Sequence, residues 1–179
     1  MKKIRLLVLV AGVALVFSGG LYAQDTASQS VSMRVNEIVV LDVTANPAQL
    51  VITAPTNGGD EPQDASDDTT YAQYTSVVAS GASRSLTVEW GGTDAAPAGT
   101  SLLLTVTPQT GGNRGTTSGQ KTVSSSAETV ITGIGSCATG RGASTGAQLG
   151  YVLQVDTVTS LVAGETQSAT ITLTLTDDA

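Results

Sequence analysis

The sequence predicts an all-β fold, a single β-sandwich of about eight or nine antiparallel strands. β-Branched residues recur along the chain, and beyond residue 23 no window combines helical spacing of apolar residues with strong helix formers. Clusters of Gly, Pro, Ser and Asn divide the chain into short apolar or alternating runs, which is typical of many short strands. Such strands in one domain form a sandwich or a small closed barrel. The long irregular segments 54–70 and 108–120 favour the sandwich, in which loops gather at the ends.

The first 23 residues have the layout of a secretory signal peptide. Two lysines and one arginine form a basic head, an uncharged run covers 6–17, and Ala23 provides a small residue for cleavage. The apolar run is too short to span a membrane comfortably. We therefore expect the signal peptide to be 1–23 and the mature protein to work outside the cytoplasm. Its destination is the extracellular medium, the cell surface or the periplasm.

Residues 24–179 are expected to form one domain that contains nine strands. In the first strand apolar and polar residues alternate, so it is predicted to be half-buried. The alternation breaks near Asn36, where we expect a bulge or a crossing between sheets. The last strand has the clearest alternation, with apolar side chains on one face and threonines on the other. The nine predicted strands are 27–35, 38–43, 48–53, 71–78, 84–90, 101–107, 121–131, 148–156 and 167–176.

Composition excludes several classes of function. After cleavage five basic residues face fifteen acidic residues, for a net charge of −10, and such a surface repels nucleic acid and anionic lipid. The chain has no histidine, and a nucleophilic thiolate at Cys137, its only cysteine, would need a base to activate it. We therefore expect no enzyme activity, no catalytic residues and no disulfide within the chain. We predict no bound cofactor, with calcium as the exception considered next.

Five acidic residues lie close together in the predicted loop 54–70. Several of their carboxylates could surround one hard cation such as Ca²⁺, although the loop lacks the glycine and the glutamate of a helix-loop-helix calcium motif. A solvated loop that keeps the protein soluble is the simpler explanation of the same residues. The candidate calcium ligands are Asp60, Asp64, Asp67 and Asp68.

Trp90 is the one aromatic residue suited to stacking on a sugar ring. It is followed by two glycines, and exposed aromatic rings are common anchors of binding sites. Trp90 also continues the apolar face of Leu86 and Val88, so burial in the core is the simpler expectation.

The sharper hypothesis concerns the first strand of the mature chain. Signal cleavage leaves 24–35 as a free end whose apolar side chains are Val31, Met33 and Val35. An open sheet edge is a template for a strand from another chain, and head-to-tail donation of a strand generates filaments. The alternative is that 27–35 pairs as an ordinary edge strand within its own sandwich.

In these features the chain resembles secreted bacterial β-sandwich subunits of surface fibres, such as pilins that assemble by strand donation. The shared features are the signal peptide, the alternating segment 29–35 and the alternating terminal segment 169–176. The resemblance implies a pilin-like or immunoglobulin-like sandwich and self-association. The chain departs from many such pilins in having no pair of cysteines.

We therefore expect a secreted, non-enzymatic structural protein of the cell surface, a filament or surface-layer subunit that assembles by β-strand complementation. The alternative is a soluble, secreted β-sandwich module that binds carbohydrate or calcium. Once the signal peptide is removed, no segment is apolar and long enough to span a membrane as a helix.

Overall fold

The described residues of the chain form ten β-strands in two antiparallel sheets. The computed structural model describes residues 26–91 and 96–178, so the predicted signal peptide lies outside the described residues. The chain divides after Arg34 into two units. The described part of the first unit, 26–34, has no regular secondary structure, and the strands belong to the second unit. The prediction of one domain over 24–179 stays a prediction.

The first sheet contains six strands. Five follow one another in the order β1, β2, β9, β4 and β6, and the short strand β8 also pairs with β2. All these pairings are antiparallel. The strands are β1 (Ile38–Val43), β2 (Ala65–Val77), β4 (Thr100–Thr107), β6 (Lys121–Thr122), β8 (Cys137–Ala138) and β9 (Ala147–Val155).

The second sheet contains four strands in the order β10, β3, β7 and β5. Its strands β3 and β10 pair over eight consecutive positions without a register shift. A single 3-10 turn, Val158–Ser160, lies in the connection to β10. The strands are β3 (Arg84–Gly91), β5 (Arg114–Thr117), β7 (Glu128–Ile134) and β10 (Thr170–Asp177).

Alternating side chains from both sheets form one apolar core cluster. On a strand, successive side chains point to opposite faces, so every second residue enters the core. Strand β9 shows the pattern clearly, because its odd-numbered residues from Ala147 to Leu153 are buried and the residues between them are less buried. The central buried residues are Tyr74, Leu86, Val88, Leu104, Val106, Val130, Ile131, Ile134, Leu149 and Tyr151.

Gly115 allows β5 to lie close against β7. Its φ of +85° is unfavourable for other residues, and a Cβ there would lie 2.5 Å from Cγ2 of Ile131 and 2.7 Å from Cγ1 of Ile134. A glycine is therefore needed where this edge strand crosses the core. The predicted loop 108–120 contains this strand, which the sequence pattern did not indicate.

Several other predicted boundaries were wrong. Segment 48–53 is not a strand, since only an isolated bridge joins Thr53 to Gln63. The predicted loop 54–70 is shorter, because β2 begins at Ala65. The predicted strand 121–131 is two strands that belong to different sheets, β6 and β7.

The acidic start of β2 is a bulged strand. The register of β2 against β9 shifts between Asp67 and Thr70, and the Asp67 carboxylate accepts hydrogen bonds from the N–H and hydroxyl of Thr69 at 3.1 and 3.0 Å. A bulge leaves an extra residue unpaired in the ladder, and here the carboxylate satisfies its N–H. Residues that suit a loop by composition therefore extend a strand.

Candidate functional site

The segment 26–35 is exposed and carries a row of apolar side chains. Val31, Met33 and Val35 are 68%, 88% and 79% exposed. The prediction of a half-buried strand over 27–35 is therefore wrong, because the first strand among the described residues begins at Ile38. Single exposed apolar residues are normal on protein surfaces, whereas an alternating row on an extended segment matches one face of a strand.

Strand β1 forms one edge of the first sheet. One side pairs with β2, and the Thr44 N–H donates to the Tyr71 carbonyl at 3.0 Å, which fixes the phase of the ladder. Since hydrogen-bonded and non-hydrogen-bonded pairs alternate, every second residue from Val39 to Val43 turns its backbone groups away from β2. The Asp42 carboxylate accepts the Val43 N–H at 2.8 Å and so satisfies one of these outward groups.

Strand β10 forms one edge of the second sheet. The Asp178 N–H donates to the Ser83 carbonyl at 2.9 Å, so the residues that turn their backbone groups away from β3 are the odd-numbered ones. Ile171, Leu173 and Leu175 are three of them, and no described residue pairs with this side of the strand. Their side chains pack against the core but are only partly buried.

Strands β1 and β10 lie near each other, so the two sheets have neighbouring edges there. Val39 and Val43 share a face of β1 with Leu41, which packs against the core, yet they are 51% and 45% exposed. The core is therefore incompletely covered along this side. We call this surface the apolar seam, and it consists of Val39, Leu41, Val43, Ile171, Leu173 and Leu175.

Arg84 joins the two sheets beneath one end of the apolar seam. Its side chain is 5% exposed, and its Nη1 donates to the Ile38 carbonyl at 2.9 Å and to Ser76 Oγ at 3.1 Å. It also donates to the Val77 carbonyl at 3.2 Å and, through Nε, to Asp177 at 2.6 Å. The guanidinium therefore ties β3 to β1, β2 and β10.

Sequence analysis did not identify this role of Arg84, although a signal exists. Arg84 is two residues before Leu86 and four before Val88, so it shares their inward face. An arginine in phase with core residues must find several acceptors, because a buried guanidinium has five N–H donors to satisfy.

The four candidate calcium ligands have different partners in the structure. The Asp64 carboxylate accepts the Val155 N–H at 2.8 Å, and Asp60 accepts Asn57 Nδ2 at 3.1 Å. Asp67 supports the bulge, and the backbone carbonyl of Asp68 accepts Gln148 Nε2 at 2.9 Å. Among the described residues no three acidic, cysteine or histidine side chains are grouped as metal ligands. Calcium binding stays a prediction.

Trp90 is partly buried and packs against the core. Its Nε1 is buried, and no acceptor for it lies among the described residues. Its ring faces the core side of β3, opposite Ile171 of β10. The position of Trp90 therefore gives no support to the carbohydrate hypothesis.

The perturbed phenols and the thiol are part of the packing. Burial raises the pKa of Tyr74 and that of Tyr151 to about 12. The Tyr74 hydroxyl donates to the Arg114 carbonyl at 2.5 Å. Burial also raises the pKa of the Cys137 thiol, which the charge of Arg114 partly opposes. All three groups are protonated at neutral pH.

A shallow, open depression of about 220 Å³ lies beside the end of β1. Gln73 lines it and donates to the carbonyls of Gly142 and Thr145 at 2.6 and 2.9 Å. The side-chain amide is thus used to hold the glycine-rich connection before β9. The depression is lined by Asp42, Val43, Thr44, Gln73, Arg141, Gly142 and Ala143.

No protein-family model, curated protein or solved structure matches the chain. Within 26–91 and 96–178 the structure contains no helix with the length and apolar character needed to cross a membrane. Interpretation of function therefore depends on this chain's own residues.

Proposed function

We propose that the protein is a secreted, non-enzymatic structural subunit of a cell-surface filament or layer. In this proposal 27–35, the donor segment, leaves its own subunit and adds a strand to the next. The two antiparallel sheets share one core cluster, which supports a single β-sandwich as the body of the subunit. Calcium and carbohydrate binding remain the alternative, with no structural observation in their favour.

The observation that carries the proposal is the exposed apolar row of Val31, Met33 and Val35. These residues alternate with the polar residues Ser30, Ser32 and Arg34, the pattern of a strand that buries one face. A row of this kind gains free energy when another sheet covers it, at roughly 25 cal/mol per Å² of apolar surface removed from water.

The second support is the presence of sheet edges that such a strand could extend. Strand addition supplies main-chain hydrogen bonds to an open edge, while alternate side chains enter the space beside the core. The apolar seam provides both an open edge and partly covered apolar side chains.

The third support is the sequence pattern of export and the composition. Residues 1–23 have the pattern of an exported protein. Head-to-tail strand donation does not close on itself, so its repetition gives a filament. No histidine and a single cysteine suit a structural role more than a catalytic one.

The test is sedimentation velocity and negative-stain microscopy of 24–179 beside a truncated chain, 36–179. We expect the longer chain to form particles or filaments and the shorter chain to stay monomeric. A synthetic peptide of 24–36 should bind the truncated chain. If 36–179 still assembles, the donor segment has no such role, and if 24–179 stays monomeric at high concentration, assembly itself is wrong.

A matched pair of variants separates the apolar face from mere chain length. Val31→Ser, Met33→Ser and Val35→Ser together should abolish assembly, because they remove the side chains that would be buried. Ser30→Ala and Ser32→Ala change the opposite face and should leave assembly intact. Equal behaviour of the two variants would contradict the proposed burial of the apolar row.

A further inference from the structure

The described strands offer few edges that could receive a donated strand. Among them β6 and β8 have two residues each, and β5 has four, one of which is Gly115. These strands are too short to pair with the whole donor segment, because only residues that lie opposite each other form the main-chain hydrogen bonds of the ladder. Strands β1 and β10 are the two long candidates.

The β1 edge is protected in the way that sheet edges commonly are. The carboxylate of Asp42 places a charge on it and satisfies the outward N–H of Val43. Charges and satisfied backbone groups on an edge disfavour pairing with another chain.

The β10 edge has none of these protections over its apolar part. The outward backbone groups of Ile171, Leu173 and Leu175 have no partner among the described residues, and the first charged residue of the strand is Asp177. Their side chains are also incompletely buried. This edge therefore combines an open ladder with uncovered core side chains.

We propose that β10 receives the donor segment of a neighbouring copy as an antiparallel strand, with Val31 opposite Leu175, Met33 opposite Leu173 and Val35 opposite Ile171. The inference rests on the proposed function and names the surface that it uses. The partner is a second copy of this chain.

The register follows from the two alternating patterns. A slip of one residue would turn the apolar row of the donor segment to the solvent face. A slip of two residues in one direction would place Val31 opposite Asp177, and in the other direction Val35 would pair beyond the start of β10 at Thr170. One antiparallel register pairs all three apolar residues of each strand.

Charge complementarity supports the same register. It places Arg34, the one charged side chain in 26–36, opposite Thr172 on the solvent face, and Thr172 is paired with Glu89 of β3. The backbones of the donated strand and β3 would be roughly 9.5 Å apart, a distance that an arginine and a glutamate can bridge with their side chains. A shift by two residues would place Arg34 beside Thr87 or Gly91 instead.

The test is disulfide trapping between two differently tagged copies, each carrying Cys137→Ala. One copy carries Ser32→Cys and the other carries Thr174→Cys. In the proposed register these residues form a non-hydrogen-bonded pair, whose short Cα separation of about 4.5 Å suits a disulfide. We expect a mixed disulfide dimer in at least about tenfold higher yield than with the control Val40→Cys on β1, because pairing raises the local thiol concentration.

Each other outcome overturns a defined part. Trapping at Val40→Cys but not at Thr174→Cys contradicts the choice of β10 and leaves strand donation intact. If particles form but neither cysteine pair is trapped, the choice of β10 is likewise contradicted and strand donation is left intact. Absence of both trapping and particles overturns the proposed function as well. A closed, monomeric disulfide in a single chain that carries both cysteines, without mixed dimers, shows pairing within one chain and overturns the inference.

A charge exchange tests the register by a second readout. Arg34→Glu and Glu89→Arg should each raise the concentration needed for assembly by roughly twofold to fivefold, which is the range for an exposed ion pair. The two substitutions together should restore the original value. Additive weakening in the double variant would contradict the proposed contact.

Discussion

Replacement of Arg84 by methionine tests how the two sheets are held together. Arg84→Met keeps an unbranched side chain of similar reach but removes the guanidinium. The Ile38 carbonyl, the Val77 carbonyl and Ser76 Oγ then lose a charged donor in a buried or partly buried position. Each hydrogen bond to a charged group contributes about 1.5–3 kcal/mol, and these three share one Nη1, so we expect a total loss of about 3–4 kcal/mol.

The matched control is Asp177→Asn. Asp177 accepts Arg84 Nε at 2.6 Å, but its side chain is 72% exposed, and such ion pairs contribute less than about 1 kcal/mol. Arg84 should therefore stabilise the protein mainly through backbone and hydroxyl acceptors, and little through its ion pair.

Urea unfolding followed by the fluorescence of Trp90, the single tryptophan, measures both variants. The midpoint should fall strongly for Arg84→Met and little for Asp177→Asn, with unchanged slopes. Equal losses in the two variants, or a neutral Arg84→Met, would refute the reasoning.

Four further predictions concern packing, pH and calcium. Gly115→Ala should lower the free energy of unfolding by about 3 kcal/mol, because the new Cβ would overlap Ile131. Gly119 also has a positive φ but has open space around it, so Gly119→Ala should lower the free energy of unfolding by only about 1 kcal/mol in the same assay. Burial raises the pKa of Tyr151 to about 12 in the folded protein. The stability that the neutral phenol contributes is therefore complete below pH 10 and is lost as the pH rises toward 12. Tyr151→Phe should reduce the alkaline loss of stability by about 2–3 kcal/mol. Hydrogen bonds from the hydroxyls of Ser83 and Ser85 lower the pKa of Asp178. The stability that its carboxylate contributes is therefore present above about pH 4 and is lost as the pH falls through the lowered pKa. Asp178→Asn should make the melting temperature less dependent on pH in the acid range. Excess calcium should leave the melting temperature unchanged, because the carboxylates of Asp60, Asp64 and Asp67 have separate partners and no three ligands are grouped among the described residues. A rise in the melting temperature would support the calcium-binding alternative.

Strands with one buried face were predicted well from the sequence. The predicted segments for β3, β4, β9 and β10 differ from the structure by no more than three residues at either end, because their apolar residues alternate and glycine or serine clusters flank them. Composition was a poor guide where a tertiary contact decides the outcome. The start of β2 is acidic, yet the Asp67 carboxylate satisfies its bulge and also accepts the Ala48 N–H at 3.2 Å from a distant segment.

The candidate site was predicted only in part. The alternating residues of the donor segment and their position after the predicted signal peptide are visible in the sequence. Their lack of a strand partner among the described residues is a property of the fold. The choice between β1 and β10 depends on the Asp42 carboxylate, which accepts the outward N–H of Val43, and no local pattern specifies that contact.

Hydrogen exchange of the backbone amides in 27–35, at protein concentrations below and above the onset of association, tests strand donation most directly. In the dilute protein these amides should exchange at the rate of an unstructured chain, because no strand includes them. In the associated protein they should become protected together with the amides of β10. If copies associate while 27–35 continues to exchange freely, strand donation by this segment is contradicted.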